Sequence, residues 1–245
     1  MRALLGTIVV LAVLLVGADI GGRLLAEHQA EKNLAAAYPN AADPQVTIHG
    51  FSFLLQAVQG HYSDITVSSS NLTLGALTGV NAQLDMRDVT LPLSDAISGN
   101  VSHLVARRAD FAATIPAQAL GDALSQPNLT IAPGADGSVQ FGTTVSVAGR
   151  TIPVTVAGTA SIDKGTLVLS AKVVGAGGIQ LPKEISDKLT AYFSTTLPMQ
   201  ALPYPIDQAS VSAQDGALIV TASGANVSAE QLGLVAARQT AKTTR

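Results

Sequence analysis

The sequence predicts an α+β domain built mainly of antiparallel strands. Three observations carry that expectation. From about residue 45 apolar residues recur at every second position, the period of a half-buried strand. Gly-containing turns separate these runs at hairpin spacing. Helical spacing occurs in only a few places outside the N-terminus, two of them opening on a proline.

Residues 1–18, MRALLGTIVVLAVLLVGA, come first. After Arg2 an uncharged run extends from Ala3 to Ala18. As a helix it spans roughly 24 Å, at ~1.5 Å per residue, against a bilayer core of about 30 Å. Its length and composition make it an export segment, either a signal peptide or a signal anchor. Val16 and Ala18 satisfy the small-residue pattern for cleavage before Asp19. Retention as an anchor, with Ile20 added to the run, is the alternative. Either way the working protein is expected outside the cytoplasm, in the periplasm or cell envelope.

Residues 19–38 are expected to form a helix of their own, with Asp19 as N-cap and an end at Tyr38-Pro39. In the strand region Ile65 and Val67 alternate, as do Val80, Ala82, Leu84 and Met86. The phase then slips by one to Val89, Leu91 and Leu93, which marks a bulge or bend. Residues 116–125 and 182–195 are the two proline-opened helices; Ile185, Leu189, Tyr192 and Phe193 form the apolar stripe of the second. Between them, residues 138–174 alternate through turns at Gly149-Arg150 and Asp163-Lys164-Gly165. A Pro-rich stretch with Pro198, Pro203 and Pro205 leads to a last hairpin turning at Asp215-Gly216. The hairpins SIDKGTLVLSA and SAQDGALIVTA look alike, as two hairpins of one sheet would. One domain over 19–234 is expected, followed by a polar, fraying tail at 235–245.

Composition narrows the function. The chain has no Cys, which excludes an acylated lipoprotein and a disulfide framework. A formal charge of −3 offers no basic surface, so nucleic acid is not an expected partner. Charged residues make up 13%, about half the usual share, while apolar residues reach 47% and aromatics only 4%. That balance implies apolar surface beyond the needs of a compact core, facing lipid or a groove.

Catalytic signals are weak. His28, His49, His61 and His103 are scattered and form no metal-ligand pair. There is no GxSxG nucleophile elbow. Asp85-Met86-Arg87-Asp88 fits a salt-bridged exposed face, and Gly175-Ala176-Gly177-Gly178 lacks phosphate-loop spacing. Four N-x-S/T sequons, at Asn71, Asn100, Asn128 and Asn226, are no more than a Ser/Thr-rich chain yields by chance. No cofactor, metal or catalytic residue is expected, and the protein is not expected to be an enzyme.

The remaining signal is apolar. Phe51, Phe53 and Leu54 precede the first long strand, with Tyr62 at its start. Together with Leu84, Met86, Phe111, Phe141, Ile185, Leu189, Tyr192, Phe193 and Met199 they are the candidate lining of a groove for acyl chains; the plain alternative is core. Small aliphatic side chains leave room for such a groove, and each buried methylene contributes roughly 0.8 kcal/mol.

Several stretches resemble one family. They are Ala26-Glu27 within a helix, the run V-x-I-x-G-F-x-F-L-x-Q-x-x-x-G-x-Y from Val46 to Tyr62, Leu202-Pro203 leading to Asp215-Gly216-Ala217-Leu218, and Gly224-Ala225-Asn226-Val227. This resembles the LmeA-like phospholipid-binding proteins of actinobacterial envelopes. Ser52 stands where that pattern expects Pro. The resemblance implies phospholipid and the membrane surface as partners, and a role in envelope lipid or lipoglycan assembly. It also implies a long curved antiparallel sheet wrapped around helices, similar to tubular lipid-binding (TULIP-like) folds. A structural or partner-binding envelope protein is the alternative.

Overall fold

A computed structural model describes residues 2–37, 43–126, 128–147, 149–163, 166–175, 182–198, 208–214 and 216–231. The side chains of residues 2–13 are not described. The chain opens with α1 (Arg2–Ala37), β1 (Gln45–His49), α2 (Phe53–Gln59), β2 (His61–Leu74) and β3 (Leu77–Thr90). Then come α3 (Leu93–Ser98), β4 (Val105–Pro116), α4 (Ala117–Ala123), β5 (Thr130–Pro133), β6 (Val139–Val147), β7 (Arg150–Asp163) and β8 (Thr166–Gly175). α5 (Lys183–Phe193), β9 (Thr196–Pro198), β10 (Gln208–Gln214) and β11 (Ala217–Ser228) complete it.

The α+β class stands, but the single long sheet does not. The strands form two open antiparallel sheets, one ordered β1-β2-β3-β4-β11-β10 and the other β5-β6-β7-β8-β9. The divergence begins at Pro116. It is the last residue of β4, paired with Ala217 of β11, and the N-cap of α4. The chain leaves the first sheet there, builds the second, and returns so that β11 pairs with β4. The two similar hairpins therefore lie in different sheets: β7–β8 in the second, β10–β11 in the first. The strand pairs Val147↔Arg150, Asp163↔Thr166 and Gln214↔Ala217 fall at the expected turns, and Leu74↔Leu77 closes a further hairpin that the sequence pattern does not place.

Helices depart from expectation more. α1 is one helix through residues 18 and 19, so Asp19 does not start a helix. α4 and α5 fall where the prolines predict them, but α2 and α3 are additional. The strand expected to continue through Leu91 and Leu93 ends at Thr90, because Pro92 caps α3. The phase slip itself is present. Met86 and Val89 are both buried, separated by Asp88 at φ 50°. Ala106 and Ala109 on β4, and Gly224 and Val227 on β11, show the same three-residue step. All three strands change phase at one level, so their register stays continuous.

Two apolar clusters share the inner face of the first sheet. The larger joins Phe111, Ile115, Leu218 and Val220 to Leu120 of α4, to Phe141, Val156 and Leu169 of the second sheet, and to Leu189 and Phe193 of α5. The smaller joins Ile65, Met86, Val89 and Ala109 to Phe53 of α2, with Ala26, Ala30 and Leu34 of α1 packed against it. Leu84 packs against both. Among the described residues no helix is long and apolar enough to cross a membrane. The export reading of 1–18 therefore stays an expectation.

Candidate functional site: an apolar end and a half-covered strip

α1 is fastened to the domain by three carboxylates. Asp19 Oδ1 accepts from the Leu54 N–H at 2.8 Å and from Ser52 Oγ at 3.0 Å, and Oδ2 accepts from the Phe53 N–H at 3.0 Å. A carboxylate placed on the free amides of a helix N-terminus satisfies donors that have no partner within the helix. These hydrogen bonds, the one from Leu54 foremost, hold the Asp19 carboxyl below the ordinary aspartate range, against an opposing desolvation. Arg23 lies 3.9 Å from Asp19 and donates to the Gly50 carbonyl at 2.9 Å. Further along, Glu27 accepts from the Ile48 N–H at 2.7 Å and Glu31 from the Val46 N–H at 3.2 Å. β1 is an edge strand, and these two carboxylates occupy amides that would otherwise invite another strand.

Ser52 is the N-cap of α2 at φ 47°, its hydroxyl also accepting from the Leu55 N–H at 3.3 Å. Proline, with φ held near −65°, does not fit that conformation. Gly60 closes the helix at φ 64°, a left-handed cap that glycine adopts without strain.

The faces of α2 are mixed. Its buried side includes Gln56, whose Nε2 donates to the His49 carbonyl at 3.2 Å and whose Oε1 accepts from the Ser63 N–H at 2.9 Å. Its exposed side is Leu54, Leu55 and Val58. A glutamine faces the core because the loop before the helix and the strand after it need backbone partners there. Leu54, Leu55 and Val58 are left outside, while Phe53 and Ala57 are buried beside Gln56.

The predicted lipid contacts separate into three groups. Phe53, Tyr62 and Met86 lie in the smaller cluster; burial pushes the Tyr62 phenol above its usual range, and its ring is 6.4 Å from that of Phe53. Phe111, Phe141, Leu189 and Phe193 lie in the larger cluster with Ile185 half-buried beside it, and Phe141 stacks on Phe193 at 5.1 Å. Phe51, Leu54 and Tyr192 are exposed. Tyr192 falls off its helix stripe because Ile185, Leu189 and Phe193 repeat every four residues. Met199 lies outside the described residues.

Only Leu84 sits between the packed ends. It belongs to a row of cross-strand partners, Val67↔Leu84↔Phe111↔Ala222. Val67 and Leu84 are half-buried. The inner face is thus covered by α1 and α2 at one end and by α4, α5 and the second sheet at the other. Between them only the Val67–Leu84 half of that row is half-covered, Phe111 and Ala222 being buried.

Among the described residues, two open cavities of mixed polar and apolar lining lie elsewhere. One of about 320 Å³ is lined by residues including Gln45, Ser68, Asn81, Gln83 and Thr114. The other, of about 480 Å³, is lined by Arg87, Asp88, Arg107, Arg108 and neighbouring β11 backbone. Neither includes a predicted lipid contact. The expected salt-bridged face is present: Arg87 lies 3.9 Å from Asp64 and 4.0 Å from Asp110, and Arg108 lies 2.8 Å from Asp110. The hydrogen bond from Arg108 lowers the Asp110 pKa. Among the described residues no group of three His, Asp or Glu side chains is placed to hold a metal.

Comparison with curated proteins and with solved structures finds no match. The model of the LmeA-like phospholipid-binding family matches residues 17–223, which span α1 to β11, and the chain belongs to that family.

Proposed function

We propose that this is an exported, non-catalytic phospholipid-binding protein of the cell envelope. It holds acyl chains against the half-covered strip at Leu84 and serves envelope lipid or lipoglycan assembly at a membrane surface. Family membership supports the ligand class. The observation that carries the location is Leu84, half-buried between two closed clusters. Phe141 and Phe193 are too deeply packed to meet a ligand without unfolding their cluster. An acyl chain needs no charged partner along such a strip, since methylene burial supplies the affinity.

The test is to purify the full chain, extract it with organic solvent, and record native mass spectra with and without added phospholipid. Bound phospholipid in the parent and its loss in Leu84→Arg, with circular dichroism unchanged, is the expected result. A parent that carries and takes up no phospholipid would refute the reading and favour a structural, partner-binding role.

A further inference from the structure

We infer that the end of the molecule formed by α1 and α2 is a bilayer-docking surface, inserted among the acyl chains of a lipid membrane. The inference deepens the phospholipid reading, on which it rests for the source of the ligand.

Large exposed apolar side chains gather at this end. Leu25 is 73% exposed, Val58 72% and Phe51 92%, with Ile20, Leu24 and Leu55 also above half. Patches of this kind mark membrane or protein contacts. α1 decides between them. It packs on the domain through Asp19, Arg23, Ala26, Glu27, Ala30 and Glu31, leaving Ile20, Leu24 and Leu25 facing outward. The first charged or titratable residue on the outward side is His28.

Between Arg2 and Glu27 the only charges are Asp19 and Arg23, and both are turned inward, onto the α2 N-terminus and the Gly50 carbonyl. The outward surface therefore stays uncharged from Leu14 through Leu25, and the sequence carries no charge from Ala3 to Ala18. That continues the apolar run beyond Ala18 by roughly 10 Å, at ~1.5 Å per residue. A lipid phase matches a helix surface that carries on a lipid-seeking segment without a charged break. The N-terminus of α2 lies against α1, pinned there by Asp19 and with Leu54 packed near Gly22.

The cysteine-free chain allows a direct test. Leu25→Cys, Val58→Cys and, at the far end, Tyr192→Cys are each made in the full chain and labelled with an environment-sensitive nitrobenzoxadiazole. Vesicles of phosphatidylcholine and phosphatidylglycerol carry a nitroxide quencher on the acyl chains. Labels at 25 and 58 should shift to the blue and be quenched on adding vesicles, while the label at 192 stays in water. Failure to bind vesicles, or binding with labels 25 and 58 still in water, overturns the inference. So does a blue shift that needs no vesicles and grows with protein concentration, because a second copy then covers the face. Phospholipid extraction on the same samples separates the two readings: docking without extractable lipid sinks only the ligand assignment, and extractable lipid without docking sinks only this surface.

Discussion

Asp19 shows how one side chain fixes the relation between two helices. Its carboxylate accepts three hydrogen bonds from the start of α2, so its folded-state pKa is depressed. A depressed carboxylate stabilises most above its unfolded pKa, and the contribution disappears as pH falls through the folded value. The Phe53 and Leu54 amide resonances should therefore hold their positions from neutral pH down to the ordinary aspartate range. Below it they should move as α2 loosens. Asp19→Asn should abolish that titration in the same NMR series. At other positions the residue scale explains a pattern that sequence alone left to chance. Asn71, Asn128 and Asn226 all sit at positive φ, a conformation asparagine tolerates better than most residues. Three of the four sequons thus mark backbone geometry.

Elements differ in how legible they are. α5 repeats Ile185, Leu189 and Phe193 at four-residue spacing behind a proline, and the sequence shows it. α2 does not show itself. Seven residues make too few turns for a periodic signal, and its faces are mixed, with Gln56 inward beside Phe53 and Ala57 and with Leu55 and Val58 outward. Its caps, Ser52 and Gly60, were the available signal. Buried polar groups cost more when left unpartnered than their hydrogen bonds gain. Gln56→Ala should therefore lower unfolding free energy by about 1–3 kcal/mol in urea titration, through the orphaned Ser63 N–H. The aromatics predict a contrast of the same kind. Phe193, fully buried against Phe141, should cost about 3–5 kcal/mol as Phe193→Ala. Phe51→Ala should stay within about 0.5 kcal/mol by the same measurement.

At the scale of the molecule, alternation revealed strands but not their partners. A period of two reports which side is buried and is silent on which sheet a strand joins. The division into two sheets depends on Pro116 diverting β4 into α4, a local event with a distant result. The candidate site was legible to a similar degree: Leu84 stood among the expected contacts, but nothing in the sequence distinguished it from Phe141, which is sealed. Because β3, β4 and β11 run through both clusters, the first sheet should unfold as one unit. Hydrogen exchange by mass spectrometry should give matching opening free energies for Val89 and Leu77 peptides of β3.

The continuity of α1 across residues 18 and 19 also orders events in time. A processing peptidase takes its substrate as an extended strand. In the folded protein the bond after Ala18 lies within a helix, and the next residue is held by α2. If residues 1–18 serve as a cleavable leader, as proposed, its removal is open to the nascent chain and closed once α2 has docked. On that reading folding competes with processing, and docking of α2 before cleavage would leave residues 1–18 attached.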